Sequence, residues 1–198
     1  QFRLFIPSEG TFGLLGGLRQ REGGFSFEYS QLFGFPATCV SSGYIGADEF
    51  VIHGDATGKV YKQETGSSFD GDPILSIYQT PHYYFQDPTI RKNFYNITTF
   101  LRSEGNASIS LGVSYDFEDS QNVFNPANYT LTTTGAAAYY NEAVYDAAAI
   151  YDGNPSPVEK TNISGSGFSI AFKYVTNDTN ASHTIQGLVL NYSMNDRR

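Results

Sequence analysis

The residues able to do chemistry in this chain are few and scattered. The three histidines, His53, His82 and His183, have no short-spaced partner. A resident metal ordinarily shows at least one close ligand pair, as in His-x-x-x-His or Cys-x-x-Cys. Three isolated histidines therefore read as structural. Carboxylates gather at Asp70-Gly71-Asp72 and at Asp116-Phe117-Glu118-Asp119. Oxygen-rich turns of this kind can hold Ca²⁺, but neither follows the EF-hand loop pattern, and Asp and Gly also build ordinary turns. The same clusters offer the acid pair of a glycosidase, whose carboxyl groups must stand a set distance apart in space. Spacing along the chain does not establish that distance. Gly10-Thr-Phe-Gly13-Leu-Leu-Gly16-Gly17 lacks the Lys-Ser/Thr of a phosphate loop and the spacing of a dinucleotide fingerprint. Gly165-Ser-Gly-Phe-Ser169 lacks nucleophile-elbow spacing, and Cys39 has no motif around it. No catalytic, metal or cofactor set emerges, and the chain reads as non-enzymatic.

Two further features have both a binding and a structural reading. Tyr83-Tyr84-Phe85, beside Pro81, and Tyr139-Tyr140 could stack on sugars or on neighbouring subunits, or fill a core. Asn-x-Ser/Thr triplets begin at Asn96, Asn106, Asn128, Asn162, Asn177, Asn180 and Asn191. A secreted glycoprotein would carry them as sugar acceptors. A Thr- and Asn-rich β protein made in a bacterium would carry them without sugar. The single cysteine, Cys39, rules out an internal disulfide framework and favours the bacterial reading.

With 198 residues the chain is long enough for one large domain or two small ones with a real core. Its 15 Tyr and 16 Phe, with Thr, Ile, Val and Gly, favour strands and turns over helices. The formal net charge of −8 repels nucleic acid, and Arg91-Lys92 and Arg197-Arg198 are only pairs. No apolar run approaches the ~18 residues of a membrane span, and the first residues do not read as a signal peptide. The opening at Gln1 and the single Met suggest a processed piece of a longer protein.

The central stretch is His53–Gly71. Phe50, Val51 and Ile52 lead into Gly54-Asp55-Ala56-Thr57-Gly58, and Val60 and Tyr61 lead out, which predicts a hairpin with Gly54 and Gly58 at positive φ. Before it lie short apolar pieces: Leu4–Ile6, an unassigned glycine-rich Phe12–Leu18, an alternating Phe25–Tyr29, and Ala37–Val40 followed by a Ser-Ser-Gly turn. After it the strands lengthen: Leu75–Thr80, Phe94–Arg102, a hairpin turn at Glu104-Gly105-Asn106, and the strictly alternating Ile109–Phe117. Residues 118–157 read as an irregular insert, within which the alanine-rich Ala136–Ile150 could form a short helix. Phe168–Tyr174 and Ile185–Tyr192 close the chain. The expected fold is all-β: a small propeller-like unit over residues 1–66, then an antiparallel β-sandwich over 67–198.

Taken in order, His53-Gly-Asp-x-x-Gly-x-Val-Tyr-x-x-Glu-x-Gly66, Ser68-Phe-Asp-Gly71, Tyr78-x-Thr-Pro81, Asp87-Pro-x-x-Arg-Lys92 and Glu104-Gly105 resemble a series found in tailed-bacteriophage virion proteins. The pattern is most similar to the tail nozzle or tail-tube-type proteins of short-tailed phages. It covers residues 44–118, with Ile163-x-Gly-x-Gly167 and Ile185-Gln-Gly187 matching more loosely. The resemblance implies that 1–66 is the closing part of a larger β-propeller joined to a β-sandwich. It also implies a homo-oligomeric, usually hexameric, ring in the virion around the DNA exit conduit. Adaptor and fibre proteins would be neighbours, and DNA would pass an acidic wall without sticking. Alternatives from the residues alone are a carbohydrate-binding or receptor-binding tail module, resting on the Tyr pairs and acidic turns, and a secreted glycoprotein domain.

Overall fold

The computed structural model describes residues 2–6, 12–21, 23–34, 36–63, 65–103, 107–118, 128–133, 158–180 and 182–195. Among these the protein is all-β, and every strand pair is antiparallel. The chain divides into two compact units, Gln1–Gly66 and Ser67–Arg198.

The first unit holds two three-stranded meanders. In one, β2 (Phe12–Arg21) runs between β1 (Phe2–Ile6) and β3 (Gly24–Phe33). The glycine-rich stretch left unassigned by its composition is thus a central strand. At Gly16 a Cβ would stand 2.2 Å from the Phe2 ring, so the absent side chain makes room for a neighbour's aromatic. In the other, β5 (Asp48–Gly54) runs between β4 (Cys39–Ile45) and β6 (Val60–Lys62). Two expectations need correction here. Strands β2 and β3 run 10 residues each and are not short pieces. The Ser-Ser-Gly turn is not a turn, because Ser41, Ser42 and Gly43 pair with Ile52, Val51 and Phe50 inside the sheet. Pairing with that apolar run outweighs their turn preference, and the chain reverses instead at Gly46, φ 67°.

Among the described residues the second unit contains seven strands: β7 (Ile74–Gln79), β8 (Lys92–Ser103), β9 (Ala107–Tyr115), β10 (Tyr129–Thr133), β11 (Val158–Gly167), β12 (Ile170–Asp178) and β13 (His183–Met194). They form a four-stranded sheet in the order β10-β9-β12-β7 and a three-stranded sheet in the order β11-β8-β13. Apolar side chains from both fill one core: Phe94, Ile97 and Leu101 from the smaller sheet, and Ile109, Leu111, Ile170 and Phe172 from the larger. The Thr99 hydroxyl and the Tyr174 phenol, 3.3 Å apart, join the two sheets inside it.

The turn expected at 104–106 lies outside the described residues, but the strands on either side, β8 and β9, belong to different sheets and do not pair as a hairpin. The insert at 118–157 is not wholly irregular, because β10 lies within it and pairs with β9. The expected helix at 136–150, with Tyr139 and Tyr140, lies outside the described residues.

Two unusual contacts tie the core to its turns. Lys92 is 0% exposed, and its ammonium donates to three backbone carbonyls: Asp87 at 2.6 Å, Ile90 at 2.9 Å and Phe168 at 3.3 Å. Three donors meet three acceptors from two separate turns. On β11 a bulge between Asn162 and Gly165 brings the backbone under Tyr115, whose hydroxyl donates to the Ser164 carbonyl at 3.0 Å.

Candidate functional site

Each histidine has its own structural setting. His53, on β5, is buried between the rings of Tyr61 (5.1 Å) and Phe5 (6.4 Å), and its Nδ1 lies 3.2 Å from Gln63 Nε2. His82 pairs its Nδ1 with the Ser169 hydroxyl at 3.2 Å and stacks on Phe117 at 4.3 Å. His183 starts β13. Among the described residues no group of three or more His, Cys, Asp or Glu could hold a metal.

Burial pushes the pKa of His53 and of His183 below the ordinary 6.5, with Asp55 and Asp178 respectively pulling weakly the other way. The folded chain then holds fewer protons than the unfolded chain just below that value, so stability falls as pH drops through it. We expect the urea midpoint to fall between pH 7 and pH 5.5, and His53→Gln to flatten part of that slope. An unchanged slope would remove His53 from the account.

The acidic residues serve turns. Asp55 accepts from the Thr57 amide at 2.9 Å, the Thr57 hydroxyl at 2.7 Å and the Lys59 amide at 3.0 Å. These bonds, led by the Thr57 hydroxyl, hold its carboxyl below the usual range despite some desolvation. Gly58 closes that turn at φ 87°. Gly54 does not share this role and is absent from the positive-φ residues. It is a strand residue at a close crossing, where a Cβ would meet Cys39 Sγ at 2.8 Å. The expected effect of Gly58→Val is therefore a backbone penalty of about 1–2 kcal/mol, read from the thermal midpoint. Gly54→Ala should instead be partly rescued by Cys39→Ala, which removes the obstructing sulfur.

Asp70 and Gly71 both take positive φ in a tight turn closed by reciprocal Phe69–Asp72 backbone bonds of 2.9 Å. Asp116 accepts from the Phe168 and Ser169 amides at 2.7 and 3.0 Å, capping the β11–β12 turn. Asp119 lies outside the described residues. Gly165–Ser169 belongs to that same bulge and turn, and Cys39 is exposed on β4.

Of the aromatic triplet, Tyr83 bridges to Ile170 through its backbone and packs against the core, and Phe85 stacks on Tyr192 at 5.2 Å. Only Tyr84 is exposed. The described part of the platform is therefore mostly core. In the first unit, a cleft of about 460 Å³ is lined by residues including Arg3, Glu49, Lys62 and Gln63, with Arg3 donating to the Gln63 side chain. Its charges are mixed, and the hydroxyls of Ser42 and Thr65 lie among them.

The asparagines hold the arrangement that spacing did not reveal. Asn162, Asn96 and Asn191 sit in register across β11, β8 and β13, and Asn191 donates to Asn96 at 2.6 Å. Neighbouring strands stand only about 4.8 Å apart. A glycan on Asn96 would leave through Nδ2, not through the Oδ1 that accepts from Asn191, and would have to stand among the neighbouring amides. We expect intact-mass and peptide measurements on native protein to find Asn96, Asn162 and Asn191 unmodified. A glycosidase-sensitive mass shift at Asn96 would contradict this.

No protein-family model matches the chain, and no curated protein matches it significantly.

Proposed function

We propose that this chain is a structural subunit of a tailed-bacteriophage virion, building a nozzle or hub ring around the DNA exit conduit. In this reading, residues 1–66 supply strands to a β-propeller and residues 67–198 form an antiparallel β-sandwich whose two sheets enclose the shared core. Adaptor and fibre proteins flank the ring, and DNA passes without specific binding because the −8 chain repels it.

One observation carries the subunit reading. The first unit leaves much of its apolar surface outside. On one face of the β1-β2-β3 sheet, Phe25, Phe27 and Tyr29 are 70%, 59% and 62% exposed, alongside Leu18 and Phe2. Among the described residues of this unit, only Ala37 is a buried apolar side chain. A contiguous aromatic face of this kind marks a surface that another polypeptide covers. The motif series described above supplies the phage context.

Native mass spectrometry of the whole chain tests the assembly. We expect a closed oligomer, six copies by the resemblance, that Phe27→Glu disperses. A wild-type chain that stays monomeric at high micromolar concentration would overturn the ring.

A further inference from the structure

The outer face of the β11-β8-β13 sheet differs in chemistry from the rest of the molecule. The core takes Ile163 from β11, Phe94, Ile97 and Leu101 from β8, and Leu188, Leu190 and Tyr192 from β13. The alternate positions point away from it. There the Asn162–Asn96–Asn191 row is joined by Asn93, which pairs with Asn195 through amide bonds of 2.7 and 3.4 Å. Between the two sets lies Tyr95, half exposed, with its hydroxyl 2.7 Å from the Ser193 hydroxyl.

Tyr95 is there because both neighbouring ladders are irregular at its level. The register with β11 shifts between Asn162 and Gly165, and that with β13 between Asn191 and Tyr192. Tyr95 is the β8 residue that both ladders skip. Bulges re-aim side chains, and this pair turns two successive residues, Tyr95 and Asn96, outward from one strand.

The charge of this face departs from that of the chain. On a protein of net charge −8, the outward positions of these strands carry no carboxylate, while Lys160 and Arg102 supply cations. Amides both donate and accept, so each can answer a hydroxyl. In the Asn191–Asn96 bond the donor is Asn191 Nδ2 and the acceptor is Asn96 Oδ1. Asn96 Nδ2 and Asn191 Oδ1 make no other hydrogen bond among the described residues. Mutual pairing also fixes the amide planes before a ligand arrives, which lowers the ordering cost of binding. Three strands place the row across roughly 10 Å, a span comparable to two linked sugar rings. The half-exposed phenol ring beside it can carry the apolar face of one of them.

We propose that this face, centred on Tyr95, Asn96 and Asn191, binds a polysaccharide chain, neutral or acidic, laid across the three strands. The sugar-binding alternative raised by Tyr83–Phe85 and the acidic turns thus moves to another surface. The proposal does not depend on the ring, and a chain that fails to oligomerise could still bind sugar here.

Affinity electrophoresis of the full chain tests it, in native gels cast with dextran, mannan, xylan, pectin or hyaluronan. We expect retardation in at least one gel, weakened about tenfold in apparent Kd by Tyr95→Ala and by Asn191→Ala. Tyr84→Ala should migrate as the wild type. Thermal melts of each variant establish that it is folded. Free migration of wild-type protein in every gel would overturn the proposal, as would full retardation of a folded Tyr95→Ala variant.

Discussion

Replacing Lys92 with methionine is expected to lower the stability of the second unit by roughly 3 kcal/mol, a large fraction of what a domain this size has. The lysine stem fills core volume that methionine nearly matches, so packing alone predicts little change. What is lost is the ammonium. Asp87, Ile90 and Phe168 each lose a charge-assisted donor, and such bonds contribute about 1.5–3 kcal/mol apiece. Two opposing effects keep the total below that sum. Methionine removes a buried charge that was costly to desolvate, and the turn carbonyls can partly rehydrate. Urea titration followed by tyrosine signals should show the midpoint fall with little change in slope. Lys92→Arg should not restore stability, because a planar guanidinium cannot aim its donors at three carbonyls converging on one point. A loss under about 0.5 kcal/mol would mean that water serves those carbonyls as well as lysine does.

The second large effect is expected at Gly165. Its φ is 148°, and a Cβ there would come within 2.5 Å of the Tyr115 ring. Gly165→Ala therefore combines backbone strain with overpacking, each of about 1–3 kcal/mol, for a total near 3 kcal/mol. The two parts can be separated. Tyr115→Leu removes the ring and its hydroxyl bond to Ser164, so the double variant should cost clearly less than the two single changes added together. Strict additivity would show that strain alone acts at this bulge. Such a result would also weaken the account of how β11 is held, since the Tyr115 ring would then be packing against nothing that resists it.

How much of this was legible in the residues varies from strand to strand for physical reasons. Strand β9 shows strict alternation because one of its faces is buried, and the period survives intact in Ile109, Leu111 and Val113. The Gly54–Gly58 hairpin was equally legible, since Asp55 satisfies its own turn locally. Strand β11 was not, because Val158–Gly167 has little apolar content and draws its place from pairing with β8 along an edge. Strand β2 hid behind glycines whose purpose lies in a ring from β1. The partition of β8 and β9 into separate sheets could not be read either, since alternation along a strand does not say which neighbour it pairs with.

The candidate sites divide in the same way. The partners of the acidic turns and of the histidines were legible only where they are local, as for Asp55 with Thr57 and Lys59, and not where the fold brings distant residues together, as for His82 with Ser169 and Asp116 with the Phe168 and Ser169 amides. The amide row escaped notice because Asn96, Asn162 and Asn191 are brought together only by register between strands distant in sequence. As Asn-x-Ser/Thr triplets they pointed towards a modification, whereas their geometry describes a paired amide surface.

The most direct measurement on the central claim is mass spectrometry of purified phage particles together with a reconstruction of the tail. The account predicts that this chain is present in ring stoichiometry, with the Phe25–Tyr29 face covered by a neighbouring polypeptide at the conduit. Intact, infectious particles that lack the chain would contradict it.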